Sequence, residues 1–219
     1  MNDGIILIDK PAGMTSFGVV ARIRRVLTQQ ANKKVKVGHT GTLDPFATGL
    51  MILVTGKECK NAGSYSKLDK VYEATFWLGQ TSTTGDPEGE LTDISIKQPT
   101  PEEVEEALRK YTGEIMQRPP IFSAIKIAGQ RAYKLARDGK EVEISERQVT
   151  IHSLELVGYA YPELKIRTHV SSGTYIRSLA VDIGETLSTG AYCSELRRVS
   201  INKWNVDEAK QLSDFGIVD

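Results

Sequence analysis

The chain is poor in the residues that build metal and redox centres. Its 219 residues include two cysteines and three histidines. Cys59 and Cys193 are far apart and belong to no metal or redox spacing, so they read as reduced thiols of a cytoplasmic protein. His39, His152 and His169 are scattered, and no two stand at zinc-ligand spacing. An excess of one charge is lacking too: 28 Lys and Arg balance 28 Asp and Glu. No apolar run approaches membrane-spanning length. The stretch Ile5-Ile6-Leu7-Ile8 is too short for a secretion signal, and Asp3 stands where such a signal begins with a basic residue. There is no repeat, no low-complexity linker and no phosphate-binding glycine motif. A disulfide scaffold, a membrane protein and a P-loop nucleotide hydrolase are therefore poor fits.

What is present is an ordinary soluble composition, 40% apolar, enough for a core. The charge is unevenly placed. Residues 1–60 carry nine Lys or Arg against four Asp or Glu. Such a half suits a polyanion or a plain solvated face. The stretch "GIILIDKPAGMTS" reads as a short strand ending at a Pro/Gly turn, after which Thr15 or Ser16 caps a helix. Val19, Val20, Ile23, Val26 and Leu27 line one face of that helix. "VKVGHT", "LMILVTG" and "KVYEATFWLG" read as strands, and "QTSTTGDPEGEL" as a polar loop joining two strands. "TPEEVEEALRKYTG" has a Thr100 cap, Pro101 at the first helical position and Gly113 at its end. "IFSAIKI" reads as a strand and residues 130–139 as a short helix. "QVTIHSLELVGYA" and "ELKIRTHV" read as paired strands, "SGTYIRSLAVDIGETL" as a helix and "SELRRVSINKW" as a strand. Helices and strands do not alternate strictly, so the expected class is α+β with a mixed, mostly antiparallel sheet flanked by helices and loops.

One loop raises a question. "GHTGTLDPFATGLM", residues 38–51, fixes the single carboxylate Asp44 in a tight polar bend. Alone, Asp before Pro is usually a turn former that bonds its own backbone. The neighbours add to this. "DKPAGMTS" (9–16) and "VGHTGTLDPFATGLM" (37–51) resemble the signature segments of the bacterial tRNA pseudouridine-55 synthases, the TruB family. Further similar blocks follow in order: "KVYEATFWLGQTSTTGDPEG", "RPPIFSAIKIAGQRAYKLAR", "SSGTYIRSLAVDIG" and "AYCSELRRVSI". Together they span nearly the whole chain.

The resemblance implies a pseudouridine-synthase fold and a reaction: uracil is detached at N1, rotated and rejoined to the ribose through C5. It implies tRNA, through its T-arm, as the partner. It implies no cofactor, no metal, no membrane, no obligatory protein partner and a monomer. Asp44 matches the catalytic aspartate, which must stay ionised although burial alone would raise its pKa. Arg177 matches its arginine partner, a cation that keeps its charge when desolvated and grips a carboxylate through two donors. A uridine in a folded loop must be extruded to react. Tyr72 matches the tyrosine on which it stacks, and Tyr175 a second active-site tyrosine whose phenol is suited to moving the C5 proton. His39 and Asp86 match residues around the flipped nucleotide, although Asp86 also suits a hairpin turn. Lys10 lies where the first motif supports the active-site loop, with contact to RNA as the other reading. Leu196 lies in the last block and is taken as substrate-binding. Ser123, Ala124 and Lys126 fall in a matching block and receive no chemistry. Whether Asp44 adds covalently or takes a ribose proton stays open.

The family usually adds a small C-terminal PUA domain, and the residues after Trp204 leave no room for one. Residues 1–219 are therefore expected to form a catalytic domain alone. Phe122 stands where many relatives carry tyrosine, and "INKWN" departs from the common glycine-containing ending. Two other classes stay open: a tRNA-folding chaperone with secondary catalysis, and a guide-RNA-dependent pseudouridine synthase.

Overall fold

The computed structural model describes residues 3–123, 125–127, 130–132 and 144–217. The chain forms two compact units, one from Met1–Tyr72 with Arg197–Asp219, the other from Glu73–Leu196. Ala124 and most of the helix expected over 130–139 lie outside the described residues.

The first unit is built on an apolar hub. Strand β3 (Thr48–Thr55) is buried from its second residue onward, which is why it reads as a continuous apolar run rather than an alternating one. Strand β1 (Gly4–Lys10) lies antiparallel to it, from Gly4 opposite Thr55 to Lys10 opposite Gly49. Strand β2 (Val37–His39) is also antiparallel to β3, with His39 opposite Leu53. The end of strand β12 (Ala191–Ile201) runs parallel to β3 through Arg197 and Arg198 and turns back into β13 (Trp204–Asn205). Gly49 is required here. Its φ is +106°, and a Cβ would come within 2.3 Å of the Arg198 carbonyl oxygen. Leu50, Ile52, Val199, Ile201 and Val206 form a buried cluster with Val71, Tyr65 and Trp204 against it.

Helix α1 (Ser16–Ala31) starts at the Thr15 cap, whose hydroxyl accepts from the Gly18 amide, and buries Ser16, Val19, Val20 and Ile23. It ends at Asn32 in the left-handed conformation, a residue that tolerates it. After β3 come a 3₁₀ turn (Gly56–Asn61) and the short helix α2 (Ala62–Ser66), which sequence periodicity does not reveal. Strand β4 (Lys70–Leu78) belongs to the first unit through Tyr72 and then to the second.

In the second unit the strand order is β12, β4, β11 (Glu163–Val170), β10 (Arg147–Ala160) and β7 (Gly113–Gln117). The expected pair β10–β11 is antiparallel with two register shifts, and β7 joins the other edge of β10. The polar loop expected between strands closes the small hairpin of β5 (Gln80–Ser82) and β6 (Leu91–Asp93). Helix α3 (Pro101–Lys110) carries the full capping box of Thr100 and Glu103. The "IFSAIKI" stretch is bent at residues 121–123, and only Lys126–Ile127, as β8, pairs with β9 (Gln130–Arg131). Helix α4 (Ile176–Thr186) buries Ile176, Leu179, Ala180 and Ile183. The Tyr111 hydroxyl donates to the Asp182 carbonyl at 2.8 Å and joins α3 to α4.

The Asp182 carboxyl is pushed up to about 6, first by burial, then by the charges of Glu185 and Glu146. The fold therefore favours its protonated form, and stability falls as pH rises from about 4 through about 6. Asp182→Asn should raise stability at pH 8 by about 1 kcal/mol, a value discounted for solvent screening. The gain should shrink toward zero at pH 4 in urea titrations followed by circular dichroism.

Candidate active site

Asp44 sits in the loop between β2 and β3, half-buried. Its own carbonyl accepts from the Ala47 amide at 3.2 Å, so the Asp-Pro pair does form a turn. The loop is held from several sides within the first unit. Lys10, with no solvent exposure, donates from Nζ to the carbonyls of Pro11, Met14 and Pro45 at 2.8, 2.7 and 3.1 Å. The Gly13 amide donates to the same Pro45 carbonyl. The Ser16 hydroxyl donates to the Leu43 carbonyl and accepts from the Leu43 amide, both at 2.8 Å. The Lys-Pro-x-Gly-x-Thr-Ser segment is thus the bracket on which the Asp44 loop is mounted. Lys10 is thus buried with three carbonyl partners.

A second bracket was not visible in the sequence. Arg198, 1% exposed, donates from Nε to the Leu50 carbonyl at 2.7 Å and from Nη2 to the Gly41 carbonyl at 3.2 Å. A Cβ on Gly41 would stand 3.4 Å from Arg198 Nη1 and 3.8 Å from Lys70 Cε. Lys70, also buried, bonds the carbonyls of Ser66 and Leu68. Burial, then the neighbouring Arg198 charge, lowers its ammonium to about 8. Tyr72, 7% exposed, lies on the same side of β4 as Lys70, two residues along. His39 ends β2 and is half-buried.

The second unit gathers the other candidates. Arg177, in the first turn of α4, forms a salt bridge with Asp86, Nη1 to Oδ2 at 2.9 Å, with both side chains 4% exposed. The guanidinium also donates to the carbonyls of Thr84 and Phe122 at 2.9 and 2.8 Å. Position 122 therefore serves Arg177 through its backbone, which a Tyr-to-Phe exchange leaves intact. Asp86 Oδ1 accepts from Thr84 Oγ1 at 2.6 Å and from the Glu88 amide at 3.0 Å. It is both the turn aspartate and a buried ion-pair partner. Arg177 also lines a cleft of about 460 Å³ with Thr84, Arg118, Phe122 and Asp182.

Tyr175 precedes α4. Its amide donates to Gln117 Oε1 at 2.8 Å and its carbonyl accepts from Gln117 Nε2 at 3.0 Å. The Arg147 guanidinium lies 5.2 Å from its ring centroid, a cation–π contact. Leu196, 9% exposed, is on β12. His152 and His169, distant in sequence, meet across β10 and β11 with ring centroids 4.6 Å apart.

Two solved structures share this shape. A crystal structure of a Cbf5–Nop10–Gar1 complex contains a chain 30% identical, with a TM-score of 0.74 over 96% of this chain and 53% of that one. An H/ACA RNP bound to a substrate RNA containing 2′-deoxyuridine matches at 27% identity and a TM-score of 0.71, over 96% of this chain and 51% of the other. This chain thus spans about half of either, and the shared architecture defines an α+β pseudouridine-synthase fold. The model of the TruB family pseudouridylate synthase, N-terminal domain, matches residues 24–176, and the chain belongs to this family. Curated relatives named tRNA pseudouridine synthase B include that of Aromatoleum aromaticum, 46% identical over 211 residues, 96% of this chain and 67% of the relative. Those of Thermobifida fusca and Aquifex aeolicus are each 42% identical and are covered to 75% and 73% of their length.

Two stability effects follow. Lys10→Met removes the donor shared by the Pro11, Met14 and Pro45 carbonyls, the last of which keeps the Gly13 amide, and should cost about 2 to 4 kcal/mol. Asp86→Ala leaves the Arg177 charge buried and should cost about 3 to 5 kcal/mol. Urea unfolding monitored by tryptophan fluorescence measures both, and a loss under 1 kcal/mol in either would contradict the assigned role.

Proposed function

We propose that this protein is a tRNA pseudouridine synthase that isomerises the T-loop uridine at position 55. The N1–C1′ bond breaks, the uracil turns over, C5 bonds to C1′, the C5 proton leaves and N1 takes up a proton. Asp44 is the carboxylate that starts the sequence, and Arg177 is the cation that keeps it ionised during the reaction. Tyr72 receives the extruded base, a stacking contact of ~1–3 kcal/mol. Tyr175 carries the C5 proton away, and His39, Asp86 and Leu196 line the flipped nucleotide.

The observation that supports this reading most is the mounting of the Asp44 loop. Two buried cations, Lys10 and Arg198, spend their donors on its backbone carbonyls and on those of its neighbours, while the carboxylate residue itself is only half-buried. An ordinary turn aspartate needs no such support. Preorganised groups of fixed charge suit a reaction in which charge develops on a bound base. The family membership and the naming of its relatives support the same conclusion.

The direct test is to incubate the purified protein with an unmodified tRNA transcript and map pseudouridine by carbodiimide-based primer extension. A single stop at the T-loop uridine is expected. No stop, or stops only at other uridines, would contradict the proposal. The similarity to a chain of an H/ACA RNP bound to a substrate RNA favours a guide-dependent enzyme as the second reading. Turnover of a bare T-arm hairpin by the protein alone, the expected result, would dismiss it.

The basic residues of the first unit supply phosphate contacts in this reading. Arg25→Ala and Lys34→Ala should each weaken tRNA binding and reduce the slope of log K against log salt by about 1. An unchanged slope would make them a plain solvated face.

A further inference from the structure

Helix α1 has a feature that neither the core nor the mechanism uses. Phe17, in its first turn, is 63% exposed, while Val19, Val20 and Ile23 take the buried face. Among the described residues of the first unit it is the one exposed large apolar side chain. Leaving a ring in water forfeits a burial gain of about 1.5 to 3 kcal/mol. The Arg24 guanidinium lies 5.9 Å from the ring centroid, close enough for a cation–π contact.

The surroundings are cationic throughout. No acid occurs between Asp9 and Asp44, whereas Arg22, Arg24, Arg25, Lys33, Lys34 and Lys36 fall in that interval. Among the described residues none of the six forms a salt bridge. A lone ring among unneutralised cations suits a base with its phosphate. A protein partner would ask for a wider apolar patch.

The backbone that carries the ring is fixed. Ser16, its neighbour, is 2% exposed and is clasped in both directions to Leu43, the neighbour of Asp44. Phe17 and Asp44 are therefore joined through one hydrogen-bonded clasp and two peptide steps of ~3.8 Å each.

We propose that Phe17, stiffened by Arg24, is a stacking platform for an unpaired RNA nucleotide adjacent to the one that docks at Asp44, with Arg22 and Arg25 on the flanking phosphates. This rests on the proposed function, and its test separates the two. T-arm hairpins carrying 2-aminopurine at each loop position next to the target uridine are titrated with wild type, Phe17→Ala, Phe17→Tyr and Arg24→Ala. Wild type and Phe17→Tyr should quench one position. Phe17→Ala should lose that quench and bind roughly 5- to 150-fold more weakly, with an unchanged salt slope, since no phosphate contact is removed. Arg24→Ala should weaken the quench and lower the salt slope.

Because Phe17 is exposed, circular dichroism and melting of Phe17→Ala should match wild type, and a lowered melting temperature would reassign the ring to the fold. An unchanged quench and affinity in Phe17→Ala would overturn the proposal, whatever partner the ring then serves. Wild type that makes no pseudouridine but shows the quench would sink the functional reading and leave the platform standing.

Discussion

A lysine ammonium can be withdrawn from water only where oxygen acceptors replace the lost hydration. Lys10 meets that condition with three main-chain carbonyls, two from its own turn and one from Pro45. The condition works in both directions. Lys10 needs the carbonyls, and the turn after β1 and the loop before β3 need a common donor to lie side by side. The Asp44 backbone is therefore held by an electrostatic requirement rather than by packing alone. Ser16 and Arg198 add the same kind of constraint from the helix and from β12.

The second unit repeats the logic with the charges paired. Arg177 is buried against Asp86 and two carbonyls, and Asp86 is held by Thr84 and the Glu88 amide. A polar turn is thereby tied to the first turn of α4, beside Tyr175. Truncating either member of such a pair is costly because the other stays buried and charged. Side chains with this much invested around them suit a site that must present fixed charges to a substrate, which is the chemistry proposed for this chain.

Much of the fold is legible in the sequence. The Thr15 and Thr100 caps, the apolar run of β3 and the β10–β11 pair depend on local spacing and appear where that spacing puts them. The 3₁₀ turn, α2 and β7 do not, because their few residues carry no full period. Family blocks marked out Asp86 and Arg177 but not the salt bridge between them, since nothing local records a contact across 91 positions. The same holds for Arg198, Lys70 and Gln117. Each is an ordinary polar residue in sequence, and its role exists only once distant carbonyls converge on it. His152 and His169, scattered in sequence, become neighbours through sheet register alone. Phe122 carries the reverse lesson: its side chain departs from the family pattern, yet the backbone carbonyl is what Arg177 uses.

The central claim is that the Asp44 carboxylate carries the chemistry on a loop built to hold it. Single-turnover rates and filter-binding affinities of Asp44→Asn with unmodified tRNA test it most directly. The substitution removes one charge and leaves the clamped backbone in place. The account predicts tRNA affinity within a few-fold of wild type and loss of pseudouridine formation by at least a thousandfold, about 4 kcal/mol of barrier. Turnover within tenfold of wild type would contradict it.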